Sequence, residues 1–369
     1  MSGVTAQVRE RGRELAGRGW ELLERASGVR YGLYGLAVLR IGYGLVLLAH
    51  LLVNYVDRRV LWGPESPWTP KLLKEDLAGD ETFSVFAFSD SGPYFEVVYH
   101  LFIVIVVAFV VGWRTRFVTP LVAVMVWSWH EREPWILDGG DNIMQLVLIY
   151  ACFAQLSGRW SLDARRLARK GWVPAPDSVR WRLVTVLHNS ALLACLLQVS
   201  ILYMNAGLLK VRGEMWQEGT ALYYTLQVEE FQPFPWLSRL AYENDLFVTA
   251  GTYAAVLVQL AFPLLVLNPI SRRLGLVAVT GMHLGIGLFM GLSSFSLIMI
   301  TSDLLFVRGA TYQRAGRAVK GAYRWVRSRR RGGADGGVEG GVDGAADGGV
   351  DGRAPVAVRA EQPLVLEKP

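Results

Sequence analysis

Cysteine is nearly missing from this chain, with two among 369 residues. Cys152 and Cys195 both lie inside apolar runs, where a thiol behaves as a small hydrophobe, so they build neither a secreted disulfide framework nor a zinc site. Charge is thin as well, at 19% of residues, and it gathers between the apolar runs. The net charge of +6 therefore reflects basic flanks rather than a nucleic-acid surface, and no base-reading motif accompanies it. A Ser-His-Asp triad, a phosphate loop and a metal-ligand cluster are all lacking, which excludes most classes of soluble enzyme.

What is present in excess is apolar surface. Hydrophobic residues make up 52% of the chain, with 13 Trp, too apolar for a soluble protein of this length. Apolar runs occupy 33–54, 94–112, 117–130, 142–157, 183–205, 246–268, 274–290 and 293–307, each close to bilayer-spanning length or slightly shorter. The expected fold is all-α: a polytopic integral membrane helix bundle of about eight transmembrane helices. Residues 274–307 leave open either two spans or a re-entrant hairpin.

Loop charge orients the bundle. Arg114 and Arg116, then Arg159 through Arg182, then Arg272 and Arg273, and finally Arg308 onward fall on one side, as cytoplasmic loops should. The opposite loops are richer in acids, including Glu75, Asp76, Asp80 and Glu81 in the first and Glu214, Glu218, Glu229 and Glu230 in the third. Both termini are thus expected in the cytoplasm of a multi-pass cell-membrane protein, with Lys210 facing outward. The first apolar run lacks a following small-residue cleavage site, so it is expected to stay as a span.

Four regions follow from this pattern. Residues 1–30 carry Arg9, Arg11, Arg13, Arg18 and Arg25 among Val8, Leu15, Trp20 and Leu22, which suits a basic amphipathic helix on an anionic leaflet. Residues 31–309 form the transmembrane domain. Residues 310–331 are a second basic amphipathic segment, and 332–369 a Gly/Asp-rich tail too poor in apolar residues to bury a core.

Polar groups inside a membrane are costly, so each needs a partner or a task. Arg40, in Leu39-Arg-Ile-Gly-Tyr-Gly44, lies too deep to snorkel and is expected to pair structurally with an acid or with helix-end carbonyls. His283 sits mid-run in Gly281-Met-His-Leu-Gly-Ile-Gly287, where a packing role and a functional role are both open. His50, His100, His130 and His188 lie near run ends and are expected at the interface. Gly139-Gly-Asp-Asn142 implies a tight turn in which Asp141 and Asn142 can cap a helix. The segment from Tyr203 to Trp216 ends an apolar run with Asn205, Lys210 and Glu214. Lys210 has three open readings: a snorkelling lysine, one half of a surface pair with Glu214, or a partly desolvated base helped by Asp141.

The order of these segments resembles the membrane domain shared by vitamin K-dependent gamma-glutamyl carboxylase and the bacterial HTTM (horizontally transferred transmembrane) proteins. The likeness covers roughly 33–307. It rests on Leu39–Gly44, Gly112-Trp-Arg-Thr-Arg116, Gly139–Asn142, Trp160-Ser-Leu-Asp163, Ala206 and Gly207 through Lys210 to Trp216, and Met282 with His283 followed by Gly291-Leu-Ser-Ser-Phe295. The resemblance implies that Lys210 stands at the lysine that deprotonates a reduced naphthoquinone and His283 at a histidine of the quinone pocket. Asp141, expected on the same outer side, is read beside them as a catalytic-site residue that orients or partners the lysine, and Asn205 as a cofactor contact. The cofactor so implied is reduced menaquinone or vitamin K hydroquinone. Where the carboxylase has Asn-His, this chain reads Gly140-Asp141 or Asp141-Asn142, and the large luminal substrate domain has no counterpart.

The shorter relatives in this family include proteins needed to mature sporulation-delaying peptide toxins. Two functions are therefore expected: quinone-dependent proton-transfer or carboxylase-like chemistry on a secreted peptide, or a non-enzymatic membrane partner in maturing or exporting one. Membrane lipid is an expected partner in both, and nucleic acid in neither. Transport is less well supported, because no two-half repeat is evident.

Overall fold

The computed structural model describes residues 24, 27–171 and 178–332. The expected N-terminal basic helix falls almost wholly outside them, as does the tail beyond Gly332. Among the described residues the fold is all-helical, with no strand. The principal helices of the first unit are α1 (Leu33–Val53), α2 (Gly92–Val111), α3 (Thr115–Arg132), α4 (Gly139–Ala151), α5 (Val179–Val211), α6 (Asp245–Leu265), α7 (Pro269–Met290) and α8 (Ser293–Asp303). Each corresponds to one apolar run of the sequence. A second unit begins near residue 310 and contributes a basic helix, α9 (Gly309–Gly332), with Arg314, Arg317, Lys320 and Arg324 among its residues.

The helix starts are set by short polar residues whose side chains accept free N–H groups. Ser91 caps α2 ahead of Pro93, Ser178 caps α5, Asn244 caps α6, and Asn268 caps α7 ahead of Pro269. The α2 end is a glycine stop: Gly112 takes a left-handed φ of 70°, and the next amide, of Trp113, returns to the Ala108 carbonyl.

Five of the helices, α1, α2, α5, α6 and α7, are long and apolar enough to cross a membrane. This is fewer than the eight expected spans. Helices α4 and α8 have 13 and 11 residues, about 20 and 17 Å of rise against a hydrocarbon core of about 30 Å. Helix α3 has 18 residues but spreads Thr115, Arg116, Thr119, Ser128, His130, Glu131 and Arg132 along its length. At the other extreme α5 has 33 residues, roughly 50 Å, so it outruns the apolar layer.

Consecutive helices pack on one another from α1 to α8, and α8 returns to α1 while also touching α4. The short α8 is therefore a central element, and Ser296, Ile298, Met299, Thr301, Ser302 and Asp303 on it are all buried. Close approach needs small residues: a Cβ on Gly42 of α1 would stand 2.5 Å from Thr301 of α8, and one on Gly207 of α5 would stand 2.8 Å from Leu260 of α6.

One polar fastening ties one end of this ring. Arg40 is completely buried, and its guanidinium donates to the carbonyls of Phe109 (2.7 Å), Val110, Leu156 (3.3 Å) and Trp160 (2.7 Å). The first two are carbonyls of the last α2 turn, where positive charge meets the negative end of the helix dipole. Across the break, Asp163 accepts from Arg114 N (3.1 Å), Thr115 N (2.9 Å) and Thr115 Oγ1 (3.0 Å) and so caps α3. Its own amide donates to the Gly112 carbonyl at 3.1 Å. The sequence expectation that Arg40 binds helix-end carbonyls holds. Three separate motifs, around Arg40, Gly112 and Asp163, are one structure.

Replacing Arg40 with Leu should leave buried carbonyls without donors and cost on the order of 3 kcal/mol, and Arg40→Lys should recover little, since one ammonium lacks the planar fork. Thermal midpoints of the purified protein in detergent check this; an unchanged midpoint for Arg40→Leu would refute the fastening role.

Candidate functional site

The residues singled out in the sequence fall into three contact groups, with no hydrogen bond or ion pair linking Asp141, Lys210 and His283 to one another. The first group surrounds Asp141. Asp138 caps α4 by accepting from Gly140 N (2.6 Å) and Asp141 N (3.1 Å), and the Asp141 carboxylate accepts from Asp138 N at 3.1 Å, completing a reciprocal capping box. Burial, reinforced by the neighbouring Asp141 charge, holds the Asp138 carboxyl above the usual carboxylate range. Asp141 also lies 4.0 Å from Nε2 of His130, whose Nδ1 meets Gln145 Oε1 at 2.8 Å. Together with His50, Trp129 and Ser294, Asp141 and His130 line a cavity of ≈ 30 Å³, room for a water or two rather than an organic ring system.

The second group is at the C-terminal end of α5. Lys210 is in the last turn, and its ammonium stands 5.1 Å from the centre of the Trp216 ring, a cation–π contact. The expected Lys210–Glu214 pairing on one helical face does not form. The helix stops at Val211, the chain turns at Gly213, and Glu214 opens a separate short helix, Glu214–Gln217. Gly213 is extended (φ −84°, ψ 129°), and a Cβ on it would stand 2.9 Å from the Trp216 ring, so the close return of Trp216 over this turn needs the missing side chain. Asn205 is exposed, two residues past the buried Tyr203 and so turned to the opposite side of α5.

The third group is in the centre of the ring and was only half legible in the sequence. His283 on α7 is 1% exposed, and its Nε2 lies 2.8 Å from the Tyr203 hydroxyl of α5. That hydroxyl in turn donates to the Asp303 carboxylate on α8, at 2.9 Å to Oδ2 and 3.1 Å to Oδ1. Asp303 is 1% exposed, and no cation lies within 4 Å of it among the described residues. Neighbouring Ser302 receives Tyr43 of α1 at 2.6 Å. The Nδ1 of His283 and the Oγ of Ser296 are buried without a partner.

Phe295 joins the first and third groups. Its ring packs edge-on to His283 with centroids 5.4 Å apart, and its Cα sits 3.1 Å from where a Cβ on Gly140 would be. Gly140 is thus held to glycine by the start of α8. Lys210 lies seven residues beyond Tyr203, two turns further along the same face of α5, about 10 Å away along the axis.

Two histidines expected at the interface are instead interior. His188 is 1% and His130 3% exposed. His188 accepts from Gln155 N through Nδ1 and donates to the Tyr31 carbonyl through Nε2, both at 2.9 Å, so it fastens the N-terminal part of α5 with both nitrogens satisfied. Near a run end, a histidine can turn either toward headgroups or inward, and spacing alone does not separate the two. Asp303 was missed because it ends a run and looks like a flanking charge. The signal was there, since an acid between Ser302 and Leu304 within the apolar stretch is an intramembrane ionisable residue.

The fold and this buried polar set define a multi-pass helical membrane protein. The chain is similar to sporulation-delaying protein SdpB of Bacillus subtilis (strain 168), 28% identical over 220 residues, which is 58% of this chain and 64% of that protein. It is also 26% identical over 211 residues to the uncharacterized protein YitO of the same strain, 56% of this chain and 64% of YitO. The matches thus cover less than two thirds of either relative. No protein-family model and no solved structure matches the chain.

Asp138→Ala should lose about 1 kcal/mol of stability through the missing cap, whereas Asp138→Asn keeps an acceptor oxygen and should equal or exceed the parent at pH 7. The raised folded-state pKa means that the charged form is the penalised one, so any advantage of Asp138→Asn should shrink as pH falls through that value. Melting curves over a pH series test both; an advantage that grows on acidification would reverse the sign.

Proposed function

We propose that this chain is an integral membrane protein that matures a secreted peptide, and that it does so by proton-transfer chemistry at the His283 centre, with Lys210 and Asp141 on the approach from outside. The observation that carries the chemistry is the unpartnered Nδ1 of a fully buried histidine, since a buried polar atom without a partner is costly unless it has a task. The peptide part of the reading is supported by the similarity to sporulation-delaying protein SdpB and by the likeness of its motifs to the HTTM and carboxylase membrane domains.

The topology that goes with this reading has about eight membrane segments, with α3, α4 and α8 completing the five longer spans, and both termini in the cytoplasm. The basic segment 310–331 then lies on the inner leaflet, where anionic lipid meets Arg314, Arg317, Lys320 and Arg324.

A reduced menaquinone or vitamin K hydroquinone, when bound, would supply a phenolic O–H and reducing equivalents. The donor set fits such a head group in one respect: His283 Nδ1 and Ser296 Oγ are unpartnered on the facing sides of α7 and α8. His283 would accept a proton, Phe295 would pack beside the ring and exclude water, and Lys210 would attract an anionic or acidic group to the outer end of α5. Asn205, on the far face of α5, would contact only a ligand or peptide arriving from that side.

A second reading, a non-enzymatic partner in peptide maturation or export, is favoured by the structural employment of each residue. Asp141 completes a cap, Lys210 rests over Trp216, and His283 holds Tyr203. The two readings separate in the native host. His283→Ala and His283→Asn, scored for mature peptide and for protein abundance, should cut peptide output about a hundredfold at unchanged abundance if His283 is the proton acceptor. Full output with either change removes the catalytic claim, and output falling only in step with abundance supports the partner reading.

A further inference from the structure

The direction of the hydrogen bonds around Tyr203 constrains the protons of its two neighbours. A phenol has one O–H. If it points to Asp303, then His283 must supply the other hydrogen through Nε2–H, and Nδ1 is left as a bare lone pair. If Asp303 is the neutral acid and donates to the phenol, Tyr203 donates to Nε2, and the histidine hydrogen must sit on Nδ1. These two arrangements differ by one proton, and the same heavy-atom positions, 2.8 Å and 2.9 to 3.1 Å apart, accommodate both.

From this we propose that His283, Tyr203 and Asp303 form a one-proton relay across the membrane core, entered at Nδ1 of His283 and ending on Asp303. It rests on the reading of His283 as a proton-transfer group and adds Tyr203 and Asp303 as its positioning residues. In the step itself, a ligand O–H bond breaks and its proton joins Nδ1. Nε2 passes its own proton to the Tyr203 oxygen, and the phenol passes its original proton to an Asp303 oxygen. The ligand leaves as an anion, Asp303 becomes neutral, and no electron changes hands.

Burial makes Asp303 a suitable end point. A carboxylate without a cation in an apolar interior is strained electrostatically, and a proton removes the charge. The titratable groups turned toward this spot are Tyr203 and Cys195 from α5, His283 from α7 and Tyr43 from α1. Helices α4 and α6 contribute Val147, Leu148, Phe262 and the uncharged Gln259. Arg40 lies on α1 too, but its guanidinium is committed to four carbonyls. By contrast His188, with a partner on each nitrogen, has no free entry point.

The test needs no ligand. Full-length protein carrying ¹⁵N-histidine is placed in phosphatidylcholine vesicles and titrated, following the His283 tautomer by NMR and the neutral-acid carbonyl band by infrared difference spectroscopy. Signals are assigned with His283→Asn and Asp303→Asn, and every variant is first shown to elute as a single species with unchanged helical circular dichroism. The expected result is that the Asp303 acid band and the switch from Nε2–H to Nδ1–H share one midpoint, and that Tyr203→Phe splits them. If Tyr203→Phe does not fold, 3-fluorotyrosine at that position should displace both midpoints together. A His283 tautomer that stays fixed while Asp303 protonates, an Asp303 that shows no titration, or coupling that survives loss of the phenol overturns the relay. Peptide output enters none of these readouts, so the relay can fail while the maturation reading stands, and the reverse.

Discussion

A buried guanidinium without a bonded carboxylate organises one end of this helix bundle. Arg40 donates to four carbonyls drawn from the α2 end and the turn after α4, of which, among the described residues, only that of Phe109 also takes a backbone amide, from Gly112, so removing the guanidinium would strip donors from acceptors in an apolar medium. Asp163, on the other side of the α2–α3 break, does the complementary work on free amides. The positive group thus meets a helix C-terminus and the negative group a helix N-terminus, each as the helix dipole favours. Gly112 is confined by the same arrangement, because a Cβ there would fall 2.4 Å from Ser161 and 2.9 Å from the Arg40 guanidinium. With the α2, α3 and α4 ends fixed to α1, the ring of helices has a rigid base, and its central residues can be held to within hydrogen-bond tolerances.

How much of this could be seen in the chain itself depends on whether a property is local. Helix positions were visible because apolar runs and the caps Ser91, Ser178, Asn244 and Asn268 are neighbours in sequence. The role of Arg40 was visible in kind, since an arginine that deep must find oxygen atoms, but the identity of those oxygens was not, because they lie about 70 to 120 residues away. The same limit hid the central site. Tyr203, His283 and Asp303 come together over separations of 80 and 100 residues, and one of them looked like the edge of a span. The end of α5 was misjudged for a different reason: four-residue spacing from Lys210 to Glu214 only implies a shared face if the helix continues, and Gly213 stops it.

The three interior histidines make a graded series. His188 has partners on both nitrogens, one of them a backbone amide, and this fixes a single tautomer. His130 has one partner at hydrogen-bond distance and one carboxylate at 4.0 Å beside a small cavity. His283 has one partner and one bare nitrogen, fully buried. Sequence position set His283 apart only as the one inside a run and placed the other two at the interface. Satisfaction of their hydrogen-bonding groups ranks all three, and it points to the residue on α7.

The length of α5 has a mechanical consequence. From His188, fastened near the N-terminal end, to Lys210 is 22 residues or about 33 Å, and Tyr203 lies about two thirds of the way along. The first glycine in α5 is Gly207 and the helix contains no proline, so over this distance it behaves as a stiff rod pivoted near His188. A sideways pull of about 1.5 Å at the Lys210 end becomes about 1 Å at Tyr203, enough to stretch a 2.8 Å hydrogen bond beyond its useful range. Force on the Lys210 end of this rod would therefore also set whether the hydrogen bonds of the proposed relay are made or broken.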